Sequence, residues 1–173
     1  LTLDGAFKGL ELVTKKQWSR LHKLSELELH VDHHDVQEMV FGHFLPGQMQ
    51  RWFVRPCSNG INGMMMGKVR SGDLPASLLV MKINCLLDDT PVASFPSGLV
   101  HLDLMDCDDL RLQPGVLPST LRRLTLPLCY TTPSLSHGML PPALTHLQMS
   151  FETSLEHLVL PPATHTLELH NAR

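Results

Sequence analysis

The sequence predicts an α/β fold that is mostly β. It is a solenoid whose short parallel strands stack into a curved sheet on a concave face, with helices or turns on the convex face. Two observations carry this expectation. One template, L-P-x-x-L-x-x-L-x-L, recurs every 20 to 23 residues through the second half of the chain. The four cysteines, Cys57, Cys85, Cys107 and Cys129, all fall two or three residues after the template's last apolar position.

Five segments share the template, starting at Leu74-Pro75, Phe95-Pro96, Leu117-Pro118, Leu140-Pro141 and Leu160-Pro161. In the closing L-x-L, two apolar side chains point to one face of an extended strand and the middle residue to the other. One unit cannot bury its own leucines, whereas stacked units share a core behind a parallel ladder. Proline cannot donate to that ladder, so its fixed place ahead of the strand reads as a turn. The first half is looser. Leu45-Pro46 leads to Met49, Trp52 and Val54; Leu24, Leu27 and Leu29 match the second part; Leu1 and Leu3 match only the end. Seven or eight strands are expected. Leu124→Ala should be costly, and Thr125→Ala, on the other face of the same strand, nearly free.

Strand spacing divides the chain. Leu1, Leu27, Trp52 and Met81 lie 26, 25 and 29 residues apart, and the later strands 20 to 23. The expectation is a single domain over 1–173, with long repeats over 1–73 and short ones over 74–173, cut from a longer protein. The long repeats leave room for helices on the return path. Thr14 with Gln17 reads as a capping box before Trp18 and Leu21. Asp32 reads as the cap of a helix with Val36, Met39 and Val40 on one face. The short repeats should return in turns.

The cysteines sit where the chain turns inward after the strand, and a buried thiol there acts as a small hydrophobe. On these residues the chain resembles the leucine-rich-repeat superfamily over nearly its whole length. Its second half resembles the short FNIP-type repeat. Cys129-Tyr130-Thr131-Thr132-Pro133-Ser134-Leu135 through Gly138-Met139-Leu140-Pro141 follows that family's F-N-x-P-L…G-x-L-P run, with Tyr130 at the Phe place and Thr131 at the Asn place. Gly115 matches Gly138. The resemblance implies a binding scaffold.

Composition narrows the function. Hydrophobic residues make up 43% and charged residues 18% of 173, which suits a folded domain and not a disordered chain. The formal net charge of −3 supplies no positive field for nucleic acid. No run of 18 apolar residues is present, so no membrane insertion is expected. The free-thiol pattern and the absence of an N-x-S/T sequon point to an intracellular setting.

The concave face follows from the strand alternation. The candidate partner-binding set is Glu28, His30, Arg51, Phe53, Arg55, Lys82, His101, Asp103, Arg123, His146, Gln148 and Glu168. Both signs of charge are interspersed, which suits a protein or peptide partner and does not make the basic stripe that phosphate backbones need. Phe53 between Arg51 and Arg55 reads as an interface anchor; the alternative is a strand aromatic covered by a neighbour. The run from His30 to Asp35 reads as a solvated turn and not a metal site. His101, Asp103 and Arg123 lack a Ser or Cys nucleophile in the same pattern, so neither catalysis nor a cofactor is expected. The expected function is a protein-interaction module. The alternatives are the recognition part of a larger enzyme, such as a ubiquitin-ligase effector, or a cell-surface receptor.

Overall fold

The structure, a computed structural model, describes residues 2–4, 23–31, 40–41, 47–56, 68–69, 74–83, 86–87, 95–104, 112–127, 135, 138–150 and 158–170. At 2–4, 29–31, 40–41, 55–56, 68–69 and 86–87 it describes the backbone. The four cysteines, the capping box at Thr14 and the turn at 32–35 lie outside the described residues.

Eight strands form one sheet. They are β1 (Thr2–Asp4), β2 (Glu26–Val31), β4 (Arg51–Pro56), β6 (Val80–Lys82), β8 (His101–Asp103), β9 (Arg123–Thr125), β10 (His146–Ser150) and β11 (Thr166–His170). Their order in space follows their order in the chain, and every pair is parallel. The register aligns the template with itself: Leu27, Trp52, Met81, Leu102, Leu124, Leu147 and Leu167 form one row.

The Leu-Pro-x-x-Leu segment is a turn in all five repeats. The amide of the second apolar residue donates to the proline carbonyl, at 3.1 Å for Leu78, 3.0 Å for Leu99 and Leu121, 3.1 Å for Leu144 and 2.9 Å for Thr164. Proline thus supplies an acceptor in the turn, where its missing N–H removes nothing from the ladder. Just past the turn, one carbonyl per repeat accepts two amides from the next repeat. Val100 accepts from Arg122 and Arg123, and Arg122 accepts from Thr145 and His146.

Behind the sheet the template leucines merge into one core. Leu27, Trp52, Met81, Leu102 and Leu124 are fully buried, as are Met49, Leu78, Leu99, Leu121 and Leu144 in the row before them. Each buried side chain of this size contributes about 1.5–3 kcal/mol relative to exposure. The last repeat is thinner. Thr164 replaces the core leucine and donates to the Leu144 carbonyl at 2.9 Å, while Leu160 and Leu167 are each 38% exposed.

The return path corrects one expectation. A second parallel sheet joins β3 (Val40–Phe41), β5 (Lys68–Val69) and β7 (Leu86–Leu87). Val40, expected on a helix with Val36 and Met39, lies in β3; the rest of that segment falls outside the described residues. Stacked repeats bring return segments side by side, and β-branched or aromatic residues such as Val40 and Phe41 suit an extended ladder better than a helix. Gly115 and Gly138, matched by sequence, share a left-handed backbone at φ 81° and 86°.

Hydroxyls cross-link neighbouring turns. The Ser77 hydroxyl faces the carbonyls of Gly47 at 2.8 Å and Met49 at 2.6 Å, and that of Thr120 faces those of Ser97 at 2.6 Å and Leu99 at 2.9 Å. Gly98 holds the same template place without a side chain. A Cβ there would meet the Ala76 and Leu78 carbonyl oxygens at 3.7 and 3.9 Å, which is ordinary contact. Gly98→Ser is therefore expected to stabilise the chain by about 1 kcal/mol, through a new hydrogen bond and a less flexible unfolded chain. A urea midpoint that falls instead of rising would show that this turn needs glycine.

Candidate functional site

The open face of the eight-stranded sheet carries the residues that the core leaves out. The ladder arranges them in rows. Glu26, Arg51, Val80, His101, Arg123, His146 and Thr166 form one row. Two residues further along each strand, Glu28, Phe53, Lys82, Asp103, Thr125, Gln148 and Glu168 form the next. Strands stand about 4.8 Å apart, so side chains in a row are contiguous. Ten of the twelve candidate residues belong to these rows. The other two, His30 and Arg55, are paired with each other in register between β2 and β4, where the backbone is described.

The N-terminal half of this face is internally engaged. Arg51 meets Glu26 at 3.4 Å and Lys82 meets Asp103 at 3.4 Å. The Arg51 guanidinium also lies 5.4 Å from the centre of the Phe53 ring. Phe53 is only 6% exposed, although it points away from the leucine core. The ring is thus largely covered, and a partner would have to displace the covering groups before touching it.

The C-terminal half is different. Arg123 is exposed and makes no ion pair with the described residues. Beside it, between β9, β10 and β11, lies a polar cavity of about 200 Å³ lined by Arg123, Thr125, His146, Gln148, Thr166 and Glu168, together with Leu124 and Leu147. Thr125 corrects the expectation of a freely solvated middle residue, because it is 4% exposed. Its register partners Asp103 and Gln148 flank it, and a short side chain between longer ones is shielded from water. Its hydroxyl has no hydrogen-bond partner among the described residues. The candidate set omits both Thr125 and Thr166. Each reads as an ordinary strand threonine until the register shows what stands beside it.

The histidines are distinct in role. The Thr145 hydroxyl lies 2.9 Å from the Arg122 carbonyl and 2.8 Å from His146 Nδ1, and the direction of the second bond follows the ring tautomer. The His165 ring packs edge-on against His146 at 4.8 Å. Glu168 stands 3.8 Å from His170. Among the described residues no cluster of three or more His, Cys, Asp or Glu is placed to hold a metal.

His101 is lowered to about 4, first by burial and then by Lys82, with Arg123 and Arg51 adding and Asp103 opposing. Its neutral form is the one the fold accepts. Below its ordinary value of 6.5 the unfolded chain binds the proton more readily, so this contribution is whole above about pH 6.5 and is lost as pH falls through about 4. The loss should be about 1 kcal/mol after solvent screening of a part-exposed ring. Urea midpoints measured from pH 7 to 4 should decline, and more gently in His101→Gln. Equal slopes in the two proteins would remove His101 as the cause.

A larger groove of about 680 Å³ runs along the Leu-Pro turns, lined by Phe95, Val116, Met139, Leu140 and Leu160 with prolines between them. It is mostly apolar, and Ser97 and Ser119 are its polar side chains. The small polar cavity is therefore the better candidate site, because polar groups converging on one space are what orient a ligand.

Comparison with known proteins fits this geometry. Residues 133–172 match the FNIP repeat family model. The matched stretch contains β10, β11 and the last two Leu-Pro turns, and so five of the eight residues that line the cavity. The FNIP-type likeness and the leucine-rich-repeat solenoid read from the sequence both stand. A solved structure with similarity is CroV588, described as a novel circular leucine-rich-repeat protein, at 17% identity and a TM-score of 0.44. The alignment covers 97% of this chain and 33% of that one, so the chain spans about a third of that protein's length. No curated protein shows significant similarity to the chain.

Proposed function

We propose that this FNIP-repeat solenoid is a non-catalytic interaction module that binds a protein or peptide on the open face of its sheet, with the β9–β11 half as the main contact. Repeat solenoids of this type commonly serve as interaction modules, and the fold by itself does not choose a partner. The observation that carries the reading is the uneven engagement of the face. Glu26–Arg51 and Lys82–Asp103 already satisfy each other at 3.4 Å, whereas Arg123 stands exposed beside a polar cavity. A partner gains most where it need not first break an existing pair. Along the face Glu26, Glu28, Asp103 and Glu168 alternate with Arg51, Lys82 and Arg123, which favours a partner that also carries both signs of charge.

The test is quantitative capture from cell extract with wild type, Arg123→Ala/Gln148→Ala, and Gln113→Ala as a control in an exposed turn. Loss of a central Arg anchor typically costs about 2 kcal/mol, or about thirtyfold in affinity. Partners retained by the control and lost by the double variant support the open face. A folded double variant that keeps every partner overturns it.

A further inference from the structure

We infer that the cavity between β9, β10 and β11 receives a single carboxylate of an extended peptide, and that Glu168 restricts it to one negative charge. The inference rests on the reading of the open face as a binding surface and names the chemistry of its ligand.

Size comes first. About 200 Å³ is the space of about seven water molecules and is below the range of drug-sized sites. It suits one side chain with its adjoining backbone. Charge comes second. Arg123 offers a planar fork of donors that matches a carboxylate in two-point geometry. Thr125, two residues further along the same strand, also lines the cavity, and its hydroxyl offers a second donor on the Arg123 side. An acceptor lies on the other side. Glu168 is on β11, diagonally across from Arg123, with His146 on the strand between them. The Glu168 carboxylate fits the N–H groups of the peptide backbone that carries the ligand carboxylate.

The fixed charges of the cavity are one guanidinium and one carboxylate. A bound monoanion is balanced by Arg123 and leaves Glu168 as the single net charge. A phosphate dianion would place a second uncompensated charge in the same small space, where like charges repel strongly. Discrimination between carboxylate and phosphate is therefore assigned to Glu168.

The experiment is an NMR titration of the full chain with four acetylated pentapeptides of alanine that vary in one group. Three are C-terminally amidated with Glu, Gln or phosphoserine at the centre; the fourth has Gln at the centre and a free C-terminal carboxylate. The Glu peptide should shift the Thr125 and Gln148 amides saturably and the Gln amide should not. Arg123→Gln should weaken the Glu peptide at least tenfold without altering the remaining amide spectrum. In wild type the phosphoserine peptide should bind more weakly than the Glu peptide, and Glu168→Gln should raise its affinity at least tenfold. Binding of the free-carboxylate peptide alone would keep the carboxylate and place it at a chain end. No saturable shift with either carboxylate, or no effect of Arg123→Gln, overturns the inference. An unchanged phosphoserine affinity in Glu168→Gln overturns the role of Glu168. If the carboxylate peptides fail while extract capture still depends on Arg123 and Gln148, the open-face reading survives and only its ligand chemistry falls; if capture is also independent of those residues, both fall.

Discussion

Leu124→Ala is expected to lower stability by about 2–5 kcal/mol, the range for truncating a fully buried leucine whose cavity cannot collapse. Leu124 sits mid-row with Leu102 on one side and Leu147 on the other, and all three are at most 1% exposed. The rigid ladder on both flanks keeps neighbours from closing the gap. Leu167 holds the same place in its own repeat but is 38% exposed, so Leu167→Ala should cost only about 1 kcal/mol. Chemical denaturation of the two variants measures the contrast. Equal losses would mean that template position, and not burial within the stack, sets the cost.

Phe53→Ala is expected to cost about 2–4 kcal/mol of stability. The ring is 94% removed from water, which stabilises by about 1.5–3 kcal/mol, and Arg51 over its face adds about 0.5–1 kcal/mol. A freely solvated strand aromatic would cost well under that. Arg51→Ala should lose a smaller amount, because it removes the cation and part of the cover but leaves the ring. If Phe53→Ala unfolds at the wild-type urea midpoint, the ring is not held as described. The practical consequence is that Phe53 tests folding before it tests binding. Arg123, exposed and without an ion pair among the described residues, tests binding more cleanly.

Much of the candidate site was legible in sequence because strand alternation is a local rule. Once Leu124 and Leu126 point inward, Arg123 and Thr125 must point outward, whatever lies beside them. The same rule placed His146, Gln148 and Glu168 on one face. It could not say which of these residues are already occupied. Phe53 and Arg51 are separated by two positions and read as two parts of an anchor, yet the fold lays one over the other. Thr125 read as solvated, yet its cross-strand neighbours shield it. Val40 has a helix-compatible spacing with Val36 and Met39, and still pairs with Lys68 in a second sheet. The misses at Thr125 and Val40 concern what stands alongside in the next repeat, 20 or more residues away.

By itself the sequence determined the repeat, the inward rows of leucines, the proline turns and the identity of the outward residues. These follow from side-chain period, from proline's missing N–H and from the cost of leaving leucines in water, all of which act within ten residues. Only the tertiary structure decided the register between repeats. Register brings Glu26 to Arg51 and Lys82 to Asp103, and it leaves Arg123 beside a polar cavity. Electrostatic pairing and shielding depend on distances of a few ångströms across strands, and those distances exist only after the ladder has formed.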